Sequence, residues 1–131
     1  MKKVEIMIDD GYHDLELWIS YYRFLEEKIA FEILAWENRE YNGAFKVDPI
    51  KPTRLLSQPL DDIDVIYLPG AKSPINLMKN RDTIPLVADL YREGKVLATI
   101  CHSPLILAEA GIIKDKRIAG HPSIANELAH Y

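Results

Sequence analysis

Three short apolar segments, each followed at once by a turn, constrain the fold of this 131-residue chain more than any other feature. They cover residues 4–8, 63–68 and 96–100. Five- or six-residue apolar segments bounded by turns are typical of strands that are buried on both faces, as in a parallel sheet. Helical patterns lie between them, so the sequence predicts an α/β fold with a mostly parallel sheet and helices on both faces.

The segments around these strands predict the remaining elements. From Asp14 onward, apolar residues recur every three or four positions opposite a polar side with Arg23 and Glu26, which predicts an amphipathic helix. The members of this apolar stripe are Leu15, Trp18, Ile19, Tyr22, Leu25 and Ile29. We expect a strand at 31–36, a small β excursion within 37–59, one or two helices within 74–93, a short helix at 104–110, an edge strand at 116–119 and a last helix at 122–130. No repeat or linker divides the chain, so residues 1–131 are predicted to form one domain.

Charge and composition exclude several classes of function. Lys and Arg number 16 against 20 Asp and Glu, a net charge of −4 with no basic run, so binding to nucleic acid or an anionic membrane has no electrostatic basis. The apolar segments are too short to span a bilayer, and the amino terminus lacks the features of a signal peptide, which predicts a cytoplasmic protein. Cys101 is the single cysteine, which excludes an intrachain disulfide and a cysteine metal cage.

Cys101 stands between an apolar strand and a predicted helix that begins at Pro104. A sharp strand-to-helix turn projects its central side chain at the carboxyl edge of the sheet, where open α/β folds bind ligands. A helix amino terminus also favours thiolate over thiol. The alternative is an inert, buried structural cysteine.

The acidic pair Asp9-Asp10 could instead indicate a phosphoacceptor receiver domain, in which an aspartate at the end of the third strand is phosphorylated. The strand at 63–68 has its only acid, Asp64, at the opposite end, so no phosphoacceptor lies near the acidic pair.

Five segments in order resemble the DJ-1/PfpI (ThiJ) family, relatives of the class I glutamine amidotransferase domains. They are residues 11–18 (GYHDLELW), 64–70 (DVIYLPG), 98–104 (ATICHSP), 110–117 (AGIIKDKR) and His121-Pro122. The resemblance implies a flavodoxin-like three-layer sandwich. It also implies that this chain is shortened at its C-terminus relative to the family.

The resemblance identifies Cys101 with the family nucleophile and Glu16 with the acid that hydrogen-bonds the sulfur. A protonated Glu16 would donate to the thiolate, which predicts a lowered pKa for the Cys101 thiol. His121 matches a histidine near the thiol in some members and could act as a general acid or base, and His102 follows the nucleophile directly. The alternatives are that Glu16 is an ordinary acid in a first helical turn and that His121 is an ordinary loop histidine.

Backbone amides at Gly70, at Ala71 and at His102 are predicted to hold an oxyanion. Two of the family's glycines are replaced here, one by Ala71, which is strained if its φ is positive, and one by Ser103, a candidate helix cap. His102 has poor geometry for a base unless another group orients its ring. Protease-like members place a glutamate from a neighbouring subunit at the position of Ile75.

The favoured hypothesis is an enzyme in which Cys101 attacks a small carbonyl substrate, as in glyoxalase- or deglycase-like relatives, without metal or organic cofactor. A cysteine peptidase or amidase of PfpI type is the alternative, which Ile75 weakens. A non-enzymatic peroxide sensor at Cys101 and an inactive scaffold stay open. The short C-terminus leaves apolar surface uncovered, which predicts a homo-dimer or larger homo-oligomer.

Overall fold

The computed structural model describes residues 2–131 and has a five-stranded, fully parallel sheet at its centre. Its strands are β1 (Lys3–Met7), β2 (Ala30–Ala35), β3 (Arg54–Leu55), β4 (Val65–Leu68) and β5 (Val96–Thr99), in the spatial order β3-β2-β1-β4-β5. The chain builds outward from β1 in one direction to β2 and in the other to β4. The carboxyl edge between β1 and β4 is therefore the switch point at which such sheets bind ligands.

Helices cover both faces of this sheet, as predicted. They are α1 (Asp14–Glu26), α2 (Ser73–Met78), α3 (Thr83–Arg92), α4 (Pro104–Glu109) and α5 (Ala125–Leu128). Ile6 and Ile33 face α1, whereas Met7 and Leu34 face α2, α3 and α4, because neighbouring residues of a strand point to opposite faces. No helix within residues 2–131 combines the length and the apolar composition that crossing a membrane requires.

The apolar stripe predicted for the dry side of α1 is largely exposed, which corrects the sequence interpretation. Leu15 and Ile19 are each 60% exposed and Tyr22 is 59% exposed. The sheet-facing side is instead formed by Leu17, Tyr21 and Phe24. The helix is apolar on two sides, and periodicity alone does not distinguish the covered side from the open one. Leu15, Ile19, Tyr22 and the neighbouring Val47 form what we call the outer α1 surface.

The predicted edge strand at 116–119 is wrong, because this segment is irregular. It leads to the carboxyl edge of the sheet, where His121 N donates to Cys101 O at 2.7 Å. The predicted helix at 122–130 is shorter and divided: a 3-10 turn at Pro122–Ile124 precedes α5, since Ile124 (φ −102°, ψ 1°) departs from helical geometry. Residues 114–131 form a mostly exposed tail anchored by the buried Ile124, beside a cavity of about 640 Å³.

A cluster of charges surrounds Glu5 of β1, which is completely buried. Its Oε1 lies 3.3 Å from Arg54 Nη1 and 3.7 Å from Lys3 Nζ, while Oε2 has no hydrogen-bond partner among the described residues. Lys3 also pairs with Glu32 at 2.7 Å and with Asp62 at 2.9 Å. Three acids thus share two bases. Burial, followed by the neighbouring Glu32, raises the pKa of Glu5 to about 7.

The first residue of α1 fixes the loop that follows β2. Asp14 is buried and accepts hydrogen bonds from Phe45 N at 2.7 Å and from Val47 N at 3.0 Å. Gly43 packs against the same carboxylate, which leaves no room for a β-carbon there. The carboxylate of Asp14 therefore holds the loop against α1, beside the outer α1 surface.

Candidate active site

Cys101 occupies a tight turn between β5 and α4. Its φ of +62° lies in the left-handed region that side chains rarely adopt, as expected for a strained elbow. Ser103 closes the turn: its Oγ donates to Ile100 O at 2.7 Å and accepts from Ile100 N at 2.8 Å. Ser103 stands at the N-cap position of α4, but its hydroxyl is used in this way and not as the predicted helix cap.

Gly70, after β4, allows the elbow to approach the sheet. A β-carbon at Gly70 would lie 2.5 Å from Cys101 Cβ, closer than real atoms pack. The Gly70 amide, predicted as an oxyanion donor, donates to Glu16 Oε2 at 2.8 Å. The backbone amides of Ala71 and His102 are close enough to the sulfur to lower the pKa of its thiol. Ala71 has a φ of +55°, the positive value at which alanine is strained.

The pKa of the Cys101 thiol lies above its ordinary value, contrary to the prediction of a lowered one. Burial is the largest cause, and the Glu16 carboxylate beside the sulfur adds to it by repelling the thiolate. The amides of Ala71 and His102 act in the opposite direction without overcoming these effects. The thiol therefore requires a base to become a nucleophile at neutral pH.

A continuous line of hydrogen bonds leads away from the sulfur. Cys101 Sγ lies 3.1 Å from His102 Nδ1, and His102 Nε2 lies 3.0 Å from Ser123 Oγ. Ser123 Oγ lies 2.7 Å from His121 Nδ1, and the two imidazole rings stack with centroids 4.7 Å apart. His102 thus has the orienting group that its position next to Cys101 requires. Sequence reasoning missed Ser123, whose signal is the short His121-Pro122-Ser123 turn.

A pocket of about 560 Å³ opens at this edge of the sheet. The predicted side chains Glu16, Cys101, His102 and His121 all line it together with Ala71, whereas Gly70 lies behind the elbow. The other lining residues are His13, Thr99, Ile100, Ala119 and Gly120. Sequence reasoning also missed His13, which precedes α1. Among residues 2–131, no group of three or more His, Cys, Asp or Glu side chains is arranged to hold a metal ion.

The order of these features along the chain matches a known family. The model of the DJ-1/PfpI family matches residues 2–131. This chain belongs to the DJ-1/PfpI family. Similar proteins include a deglycase of Pyrococcus abyssi, 26% identical over 126 residues, and Deglycase PfpI of Pyrococcus furiosus, 28% identical over 134 residues. Each alignment covers 96% of this chain and 76% of the relative.

Solved structures of the family share the fold. A two-domain Anabaena variabilis protein with DJ-1/ThiJ/PfpI-like and ferritin-like domains has a TM-score of 0.93 at 23% identity. That match covers 99% of this chain and 38% of the larger one. DJ-1 of Schizosaccharomyces pombe has a TM-score of 0.83 at 22% identity, covering 98% of this chain and 72% of its own. The flavodoxin-like sandwich predicted from the sequence is confirmed.

Proposed function

We propose that this protein is an enzyme that acts on small carbonyl compounds through Cys101, in the manner of a glyoxalase or deglycase, without metal or organic cofactor. The observation that carries the proposal is the surroundings of the sulfur. The thiol is half-buried inside a pocket of about 560 Å³, His102 Nδ1 lies 3.1 Å from the sulfur, and the nearby amides of Ala71 and His102 favour its ionised form. The archaeal relatives named deglycases support the same chemistry.

The reaction begins when the Cys101 thiol gives up its proton and the sulfur bonds to an aldehyde carbon. The C=O π electrons move to oxygen, the amides of Ala71 and His102 stabilise the resulting oxyanion, and a proton completes the hemithioacetal. With methylglyoxal, the C–H proton of this carbon is then moved to the adjacent carbonyl carbon and the hydroxyl proton of the hemithioacetal to the adjacent carbonyl oxygen, which produces a lactoyl thioester. Water hydrolyses the thioester to lactate and restores the thiol. We assign the proton transfers on the carbonyl substrate to Glu16 and His121.

Lactate formation from methylglyoxal tests this proposal. We expect Cys101→Ala to abolish the activity and Glu16→Gln to reduce it strongly. Glu40→Gln, at an exposed position outside the pocket, is the matched control and should leave the rate unchanged. Unchanged lactate formation in Cys101→Ala would contradict the proposal.

The same thiol carries two other candidate functions. Protease-like members of the family carry a glutamate at the position that corresponds to Ile75 here. Ile75 is apolar and half-exposed, so peptidase or amidase activity has less support. A peroxide sensor is favoured by the partial exposure of Cys101 and by the nearby amides of Ala71 and His102, which would stabilise a sulfinate. Gain of two oxygen atoms at Cys101 after mild peroxide, in a protein without lactate formation, would favour the sensor.

We also propose that the protein is a homo-dimer or larger homo-oligomer in a reducing compartment such as the cytoplasm, where its thiol stays reduced. Large apolar side chains on one helix face, as on the outer α1 surface, are typical of an interface. We expect sedimentation at micromolar concentration to show an oligomer and Ile19→Glu to weaken it. A wild-type monomer under these conditions would contradict the proposal.

A further inference from the structure

We propose that Ser123 is a positioning residue that fixes the protonation pattern of His102 and His121, so that His102 Nδ1 takes the proton of the Cys101 thiol. The inference rests on the proposed nucleophilic role of Cys101. It goes further by naming the base and the group that orients it.

The backbone amide of Ser123 sets the direction of the hydrogen bonds. A backbone N–H can only donate, and Ser123 N donates to His121 Nδ1 at 3.1 Å. That nitrogen therefore carries a lone pair, and the proton of the neutral ring lies on Nε2. Ser123 Oγ lies 2.7 Å from the same nitrogen, His121 Nδ1. Because this nitrogen has no proton to donate, the hydroxyl must be the donor in this contact as well.

With its proton directed to His121, the Ser123 hydroxyl has only lone pairs for His102. The contact of 3.0 Å between Ser123 Oγ and His102 Nε2 therefore requires the proton to lie on that nitrogen. A neutral imidazole carries one proton, which leaves a lone pair on Nδ1. This lone pair faces Cys101 Sγ at 3.1 Å, in position to accept the thiol proton.

The same arrangement stabilises the state that follows proton transfer. The proton moves from Cys101 Sγ to His102 Nδ1, giving a thiolate and an imidazolium. The imidazolium retains its Nε2–H bond to Ser123 Oγ, which becomes charge-assisted. Ser123 thus orients His102 from within the same chain. Protease-like members use a glutamate of a neighbouring subunit instead, at the position of Ile75.

Alkylation of Cys101 by iodoacetamide, followed by intact mass from pH 5.5 to 9.5, tests this role without any substrate. We expect Ser123→Ala to slow alkylation at pH 7 about tenfold, the effect of losing one hydrogen bond to a charged group. The midpoint of its pH profile should shift upward. The matched variant Ser123→Thr keeps the hydroxyl and should stay within about twofold of wild type. Wild-type rates in Ser123→Ala, or equal slowing in both variants, would overturn the proposal.

The imidazole nitrogens provide a second and independent readout. In ¹⁵N-labelled protein, two-bond ¹H–¹⁵N correlation spectra should show the Nε2–H form for both His102 and His121 in the wild type, and a mixture for His102 in Ser123→Ala. A proton on His102 Nδ1 in the neutral wild-type ring would refute the assignment. Since neither experiment uses a carbonyl substrate, loss of the proposed glyoxalase activity and loss of this positioning role are separate results.

Discussion

Glu5 is a glutamate at the centre of a parallel sheet, and replacing it with glutamine should change how the stability of the protein depends on pH. In the folded state the carboxyl is fully buried, with one oxygen unpartnered within residues 2–131. Its pKa is raised from 4.5 to about 7, first by burial and then by Glu32. In the unfolded chain the same carboxyl is in water and has its ordinary pKa.

The size and sign of the effect follow from these two values. A difference of one in pKa corresponds to about 1.4 kcal/mol, so ionised Glu5 is disfavoured in the folded state by about 3 kcal/mol. Between pH 4.5 and 7 the unfolded chain has already lost this proton and the folded protein still holds it. The free energy of unfolding therefore falls as pH rises through this window and levels off above it. The pKa of Glu32 is shifted downward by its pairing with Lys3, so its contribution changes at more acidic pH.

Urea unfolding at several pH values between 4.5 and 8.5, followed by tryptophan fluorescence, measures this contribution. The free energy of unfolding of Glu5→Gln minus that of wild type should rise by about 3 kcal/mol across the window. Titrations of groups that do not contact Glu5 cancel in this difference, and that of Glu32 falls at more acidic pH. The exposed Glu40→Gln variant is the control and should run parallel to wild type. Parallel curves for Glu5→Gln and wild type would refute the assignment of a buried, proton-binding carboxyl.

Three further predictions concern the elbow and the loop. Ala71→Gly should raise the free energy of unfolding by about 0.5–1 kcal/mol, because relief of the positive φ exceeds the added flexibility of the unfolded chain; a loss of stability in urea unfolding would contradict it. Asp14→Asn should speed amide exchange at Phe45, whose N–H loses a charged acceptor, and equal exchange in both proteins would show that the carboxylate does not fix the loop. Glu16→Gln should lower the pKa of the Cys101 thiol and speed its alkylation at pH 7, since the neighbouring carboxylate raises that pKa; slower alkylation would instead favour a protonated Glu16 that donates to the thiolate.

Much of the fold could be predicted from the sequence because buried parallel strands leave a strong local signal. The apolar segments at 63–68 and 96–100 correspond to β4 and β5. The covered side of α1 could not be predicted, because Leu15 and Leu17 are equally apolar and their exposure depends on what packs beside them. The expected strand at 116–119 fails for a similar reason: its alternating pattern does not show that Ile118 is exposed and that Ala119 lines the pocket at Cys101 instead of a neighbouring strand.

The candidate site divides in the same way. Cys101 and Glu16 could be proposed because each lies in a recognisable segment, and both line one pocket. Ser123 and His13 could not, since their importance comes from residues far away in sequence that folding brings within hydrogen-bond distance or into the same pocket. The ionisation of the thiol also escaped prediction. A helix amino terminus favours thiolate, but the degree of burial and the neighbouring carboxylate, which decide the direction here, are properties of the folded structure.

If Ser123 orients His102, the reactivity of Cys101 depends on how firmly the tail at 114–131 is held. It carries His121 and Ser123 and is mostly exposed, with a cavity beside it; Ile124 and Leu128 pack against the core, and His121 N and Tyr131 Oη bond to Cys101 O and Glu109. Segments with few buried contacts detach at a fraction of the free energy of global unfolding. Detachment would remove the orienting hydroxyl while Cys101, Glu16 and the two amides stay in place on the sheet. The fraction of molecules ready to react would then equal the fraction in which the tail is docked. A ligand or partner that binds the docked tail would therefore activate the Cys101 thiol without contacting the thiol itself.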